Sequence, residues 1–436
     1  MSTHVALSSV FPAYEEFETR VPVRCVTPNA PGTIHRFYDT SPFSPSGRYL
    51  AVTRLPSEHR RPRPGEIAHV LVVDLEAGTT NTVAETRGWD TQLGAQVQWG
   101  SDDRSLYFND VDVRTWRPFG VRLDPLSGAR TILDGTIYMI SPDGRWSASP
   151  CLRRTAITQA GYGVVVPRRK IPVNHGAAED DGIYLTNTTT GESRLLISIA
   201  QIANAAGVPL RDHKYERGDF YGFHVKWNPQ GTRLLFVLRW LPRKWRPAWL
   251  GQASRQDGLK NVVTLDADGN NIRVAIPDAM WSNGGHHPNW CPDGEHVLMN
   301  LNVHGDGLRF VRAKFDGSTC ETLVPQVRGS GHPTIHPSGT HLVTDAYLKE
   351  SPSFGDGTVP IRWVNLHTLE ETTLVRIRTK QPGNRPTGPL RVDPHPAWDT
   401  SFRRLAFNAC PDGRRRVFVA SLHELIGEHS SARAAA

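Results

Sequence analysis

Trp227-Asn228-Pro229-Gln230-Gly231 and Trp290-Cys291-Pro292-Asp293-Gly294 are two copies of a segment that recurs seven times along this chain. Each copy is an apolar or aromatic residue, a turn that usually reads Ser/Asn-Pro-Asp/Gln-Gly, and then alternating apolar residues. The other copies are Phe43-Ser44-Pro45-Ser46-Gly47, Trp99-Gly100-Ser101-Asp102-Asp103, Ile140-Ser141-Pro142-Asp143-Gly144, Ile335-His336-Pro337-Ser338-Gly339 and Trp398-Asp399-Thr400-Ser401-Phe402. Each turn sits between two strand-like runs, as Val97 to Trp99 and Leu106 to Phe108. A second pair often follows, as His69 to Asp74 and Thr80 to Val83. Four short strands per repeating unit spell a β-propeller blade. The expected fold is therefore all-β, a seven-bladed β-propeller.

The last unit is incomplete. After Trp398 it holds strands near Arg404 to Asn408 and Arg416 to Ser421, while an unpaired apolar strand lies at Val21 to Val26. That N-terminal strand is expected to complete the last blade and so protect its open edge. The expected organisation is one propeller over residues 1–426, with a disordered small and polar tail over 427–436. A long insertion is placed at about 155–220, within the longest gap between turns, and insertions in propellers fall in loops. Only Leu195 to Ala206, inside that insertion, reads as a helix.

Composition agrees with many turns, with Gly 38 and Pro 33 in 436 residues. No apolar run approaches the ~20 residues of a membrane span, and the N-terminus lacks a basic region followed by an apolar core. The five cysteines show no paired metal spacing and read as free thiols in a reducing compartment. The expected location is cytoplasmic. A net charge of +7 favours an anionic partner. The run Arg239-Trp240-Leu241-Pro242-Arg243-Lys244-Trp245-Arg246 interleaves cations with aromatic rings. Rings stack on sugar faces while arginine forks a carboxylate. Charge alone leaves nucleic acid, lipid headgroups and an acidic sugar open; the expectation taken forward is an acidic oligosaccharide or polysaccharide, with no nucleic acid and no membrane.

Four residues before each turn the chain carries Thr40, Gln96, Ile137, His224, His287, His332 and His395. Repeats build equivalent positions, so four consecutive histidines at one phase converge near one axis. His287, His332 and His395 suit a divalent metal (Zn, Mn or Ca), and equally a hydrogen-bonded polar plug. His286, His336 and Asp393 are spare donors nearby. His224 is either a fourth ligand or a proton acceptor, since neutral imidazole is a competent base near pH 7. Tyr138 begins the third unit and Arg154 is read as the end of its second strand, which would bring the two to one face. There Tyr138 is a proton donor or a core aromatic. The far ends of the second strands also carry Asn109, Asp110, Arg239, Asn300, Asp345 and Asn408, polar groups that are costly to bury unpaired.

With these residues in place, the chain resembles the seven-bladed polysaccharide and oligosaccharide lyases: oligogalacturonate, ulvan and rhamnosyl-glucuronate lyases. The matching pieces are Phe37 to Pro42, Gly88 to Trp99, Tyr138 to Gly144 with Arg154, Gly161-Tyr162-Gly163, Gly285-His286-His287, Gly331-His332-Pro333 and Asp393-Pro394-His395-Pro396. The resemblance implies β-elimination at the C4–O bond of a uronic acid. His224 stands in the blade before the histidine-rich metal site, as the base does in oligogalacturonate lyases. Tyr138 and Arg154 are similar to the tyrosine and arginine of the ulvan type. That type also carries early-blade histidines and a cysteine before the last histidine; here those stretches read Asp90 to Gln96 and Arg391-Val392-Asp393. The catalytic expectation is His224, Tyr138 and Arg154. The substrate contacts expected are Gln92, Gln96, Asn109, Tyr162, Tyr221 and Arg239. The alternatives are a non-catalytic propeller binding an acidic glycan or protein, and a metal-dependent hydrolase or epimerase.

Overall fold

The computed structural model describes residues 7–242, 258–383 and 388–426. Residues 243–246 of the basic run and the expected tail over 427–436 lie outside them. Seven four-stranded antiparallel sheets form the blades. The inner strands are Thr33–Ile34, Gln98–Trp99, Met139–Ile140, Gly218–Trp227, Gly285–Trp290, Thr334–Ile335 and Ala397–Trp398. They define blades one to seven in chain order.

The recurring turn folds for reasons its residues supply. In five copies the glycine N–H donates to the first turn residue's carbonyl, as Gly144 to Ser141 at 2.8 Å and Gly231 to Asn228 at 3.0 Å. The glycine takes a positive φ that a side chain disfavours, +74° at Gly144. The first turn residue then receives the returning strand: Ser141 Oγ accepts from the Trp146 N–H at 3.0 Å. In the seventh copy Phe402 occupies the glycine position and still adopts φ 56°.

Tryptophans that end inner strands tie neighbouring blades together. Trp99 donates its indole N–H to the Pro42 carbonyl, Trp290 to that of Lys226 and Trp398 to Thr334 Oγ1, each at 3.0 Å. The ring closes as expected: Val23–Cys25 is the outer strand of blade seven, with Val23 opposite Ala420 and Cys25 opposite Phe418. The core is the apolar packing between successive sheets. All five cysteines are unpaired thiols. Among the described residues no helix is long and apolar enough to cross a membrane.

Two local readings are corrected. The stretch read as one helix splits into the strand Ser193–Ser198 and the helix Ile199–Ala205, because Ser198 and Gln201 form a reciprocal capping box that starts the helix there. The single insertion likewise divides. Helix Leu152–Thr158 and a 3₁₀ turn at Arg168–Lys170 follow the second strand of blade three, Trp146–Ser149. Its outer strands Gly182–Asn187 and Ser193–Ser198 come next. Helices Ile199–Ala205 and His213–Glu216 then lead to blade four.

Candidate active site at the channel mouth

The four histidines of the repeat phase gather around one phenyl ring. Phe37 is fully buried, with ring centroids at 4.7 Å from His395, 5.6 Å from His332, 5.7 Å from His224 and 6.1 Å from His287. The backbone reaches this arrangement at some strain. Gln96, His287 and His395, three residues of the same phase, adopt φ of 59°, 61° and 51°. Such left-handed conformations cost ~1–3 kcal/mol for non-glycine residues. In blade six Gly331 takes the positive φ instead, just before His332.

Beside Phe37 the donor atoms of His332, Asp393 and His395 lie within 4.8 Å of one another, all three residues buried. Asp345 orients this group. Its two carboxylate oxygens accept from His332 Nδ1 at 2.9 and 3.0 Å, and the backbone N–H groups of His332 and His395 donate to them at 2.7 and 3.3 Å. A carboxylate only accepts, so Nδ1 of His332 carries the hydrogen and Nε2 presents a lone pair. That Nε2, and both ring nitrogens of His395, are buried without a hydrogen-bond partner. Unpaired buried nitrogens are costly, and burial, then His332, holds His395 well below the usual imidazole range, in its neutral form. Two imidazoles and a carboxylate fit a divalent transition ion better than calcium, which takes oxygen ligands.

His287 is placed differently. Its Nδ1 donates to the Gly331 carbonyl at 2.7 Å, and its Nε2 faces the Tyr347 hydroxyl at 3.1 Å. Its ring lies 3.9 Å from that of His332. Asp393 takes the third place in the donor group instead.

Also packed against Phe37 is His224, whose Nδ1 forms a buried hydrogen bond with the Tyr138 hydroxyl. Burial, reinforced by Lys226, drives His224 well below its usual range, and burial with the Asp39 charge pushes Tyr138 well above its own. Both are neutral at pH 7. Beneath them lies a buried charge cluster. Lys226 Nζ is 2.8 Å from Asp39 Oδ2 and Arg36 is 2.6 Å from Asp39 Oδ1, with all three side chains at 0 or 1% exposure. Burial alone would raise the Asp39 carboxyl, but Lys226 and Arg36 outweigh it and hold it well below the usual range.

Arg154 departs from its expected place. The second strand of blade three ends at Ser149, and Arg154 lies on the helix that follows, paired with Asp181 at 2.6 Å. The arginine at Tyr138 is Arg36, with its guanidinium 5.0 Å from the ring centroid and a hydrogen bond to the Tyr138 carbonyl. Asn109 is also committed elsewhere. Its amide donates to the Ile137 carbonyl and accepts from the Ile137 N–H, both at 2.7 Å. Asn408 and Asn300 make comparable ties, to His35 N–H and the Gly331 carbonyl, so these strand-end amides suture one blade to the next.

The other expected contacts are held by internal partners. Gln96 Oε1 accepts from Arg36 Nε at 2.9 Å. Gln92 donates to the carbonyls of Pro389 and Arg391, each at 3.0 Å. Arg239 donates to Gln159 at 2.7 Å and lies over the Phe223 ring, and Tyr221 is its partner across the strands. Tyr162 accepts from Arg391 at 3.0 Å, and Arg391 Nε donates to Asp393 at 2.7 Å. Phe37, Lys226 and Tyr347 escaped the sequence reading as site residues, and so did Arg391. The signal for Lys226 was a lysine two residues after His224 on a strand that is mostly apolar.

No protein-family model matches the chain, and no curated protein matches it. Solved structures do. The chain is similar to an oligogalacturonate lyase in complex with manganese, at 14% identity and a TM-score of 0.62, over 96% of this chain and 97% of that one. It is similar to an oligogalacturonate lyase from Vibrio parahaemolyticus at 13% identity, with the same coverage and a TM-score of 0.62. At such identities what is shared is the fold, and this seven-bladed propeller is therefore built like the oligogalacturonate lyases.

Proposed function

We propose that the protein is a lyase that cleaves uronic-acid-containing oligosaccharides by β-elimination at the C4–O bond. The observation that carries this reading is the neutral Tyr138–His224 pair and the His332–Asp393–His395 group, both packed against Phe37. A base, an acid and a cation site close together are what the reaction needs.

In β-elimination a base removes the C5 proton, the C–H electron pair becomes the C4=C5 double bond, and the C4–O bond breaks. The leaving oxygen gains a proton. His224 serves as the base through Nε2 when Nδ1 carries its hydrogen and donates it to the Tyr138 oxygen. The Tyr138 hydroxyl is then free to give its own proton to the leaving oxygen. Burial keeps the imidazole unprotonated and the phenol protonated, the form from which each role starts, and it also lowers the basicity of the one and the acidity of the other. His332, Asp393 and His395 would hold a divalent ion, manganese or zinc by their donor chemistry. Such an ion would neutralise the uronate carboxylate and so acidify the C5 proton. Arg391 and Arg36 add fixed positive charge around the site.

Phe37 is fully buried and packs against the histidines of both groups. That same packing favours a second reading, a non-catalytic propeller whose histidines hold a structural ion. Mass spectrometry of products from galacturonate and glucuronate oligosaccharides separates these readings. Elimination gives two fragments whose masses sum to that of the parent, hydrolysis adds one water, and a binding module leaves the parent intact.

A further inference from the structure

A cavity of about 330 Å³ opens beside the site, on the insertion of blade three. Its walls are mostly apolar, with Ala156, Ile157, Ala160, Val165, Val166 and Ile171 closed on one side by Tyr162, and Asp90 and Thr91 also face it. Arg61 and Arg168, both exposed, stand on its rim. Tyr162 is shared with the site. Its hydroxyl accepts from Arg391, which holds Asp393, and its ring packs at 5.0 Å against Phe223, the neighbour of His224. The wall is fixed in place. Gly161 adopts φ +89°, and a Cβ there would lie 3.0 Å from both Gln92 and the Pro389 carbonyl.

A bare uronate sugar matches this cavity poorly. Its hydroxyls would be desolvated against mostly aliphatic walls, because the two polar side chains there are already engaged: Asp90 accepts from the N–H groups of Gln92, Leu93 and Gly163, and Thr91 Oγ1 donates to the Pro389 carbonyl. An apolar group loses nothing there, and the rim guanidiniums suit an attached anion. We infer that this cavity is a subsite for an aromatic substituent on the acidic saccharide, so that the ligand is an amphipathic aryl uronoside. The sugar half of this inference rests on the lyase reading; the cavity half does not.

The test is calorimetric binding to wild-type protein of methyl and 4-methylumbelliferyl uronides, in both the gluco and galacto series. The aryl compound is expected to bind at least about tenfold tighter in one series, as burial of one ring predicts. Ala160→Trp fills the cavity from its wall, and Ile157→Ser makes it polar. Each should remove the aryl advantage while methyl uronide binding stays as in wild type, with thermal melts confirming that the variants fold. Equal affinity for aryl and methyl compounds in both series would overturn the inference. So would an aryl advantage that survives in both folded variants. Cleavage is scored separately, on oligosaccharides whose uronate carries a 4-O-linked leaving sugar: aryl preference without elimination products from any of them would sink the lyase reading and leave the subsite standing.

Discussion

Nδ1 of His332 lies 2.9 and 3.0 Å from the two carboxylate oxygens of Asp345, and its Nε2 points to no partner. The pair fixes one tautomer and aims one lone pair into the group formed with Asp393 and His395. A carboxylate behind a ligating histidine raises ligand basicity, and its removal commonly costs ~10–100-fold in metal affinity. Asp345→Asn is therefore expected to weaken manganese or zinc binding by about that factor. His332→Ala should abolish stoichiometric binding, and titration of chelator-stripped protein reads both.

Asp39 is the hub of the buried charges, facing Lys226 and Arg36 together. Removing one member of a buried pair leaves a charge uncompensated, at a cost of ~3–5 kcal/mol. Asp39→Asn strands two cations and is expected to reach that range. Lys226→Met leaves Asp39 paired with Arg36 and should cost less. Chemical denaturation measures the order, and equal or reversed losses would show that the cluster is not organised around Asp39.

His35 gives a pH dependence of definite sign. Burial, the largest effect on it, lowers its imidazole to about 4. Between about 6.5 and 4 the unfolded chain takes up this proton and the folded chain does not, so stability falls as pH drops through that window. Asp90 works in the opposite sense, since burial raises its carboxyl to about 7. Comparing wild type with His35→Asn cancels the Asp90 contribution. With chelator present, the wild type is expected to lose about 3 kcal/mol relative to the variant between pH 6.5 and pH 4. A pH-independent difference would contradict the assignment.

The propeller was legible because its turns are chemically specific. Pro, Gly and a capping Ser, Asn or Asp at fixed spacing leave few conformations, and the phase they set brought His224, His287, His332 and His395 to one axis. What the repeat does not govern was harder to read. Arg154 follows Pro150, where the strand gives way to a helix, and a strand register extended past that point misplaced it. Asn109 looked like a ligand contact because polar side chains at strand ends serve two purposes, and here it binds the backbone of the next blade. Phe37, Tyr347 and Arg391 lie in loops, whose paths no periodicity fixes. Their convergence on the histidines depends on contacts between segments far apart in sequence.

The roles of His224 and Tyr138 predict different kinetic losses. His224→Ala removes the base and is expected to lower kcat by ~10²–10⁴-fold, the usual scale of general base catalysis. Tyr138→Phe keeps the ring and removes the hydroxyl. Its loss should fall in kcat, with KM little changed, if the hydroxyl acts in the transition state. A rise in KM alone would instead make Tyr138 a binding residue.

The most direct test of the account is near-ultraviolet absorbance during incubation with galacturonate, glucuronate and rhamnosyl-glucuronate oligosaccharides. The protein would be assayed metal-loaded, chelated, and as His224→Ala. The account predicts a rise from the new C4=C5 double bond with at least one substrate, lost in the variant and suppressed by chelator. A flat trace across the panel, from protein shown to hold its metal, would contradict it.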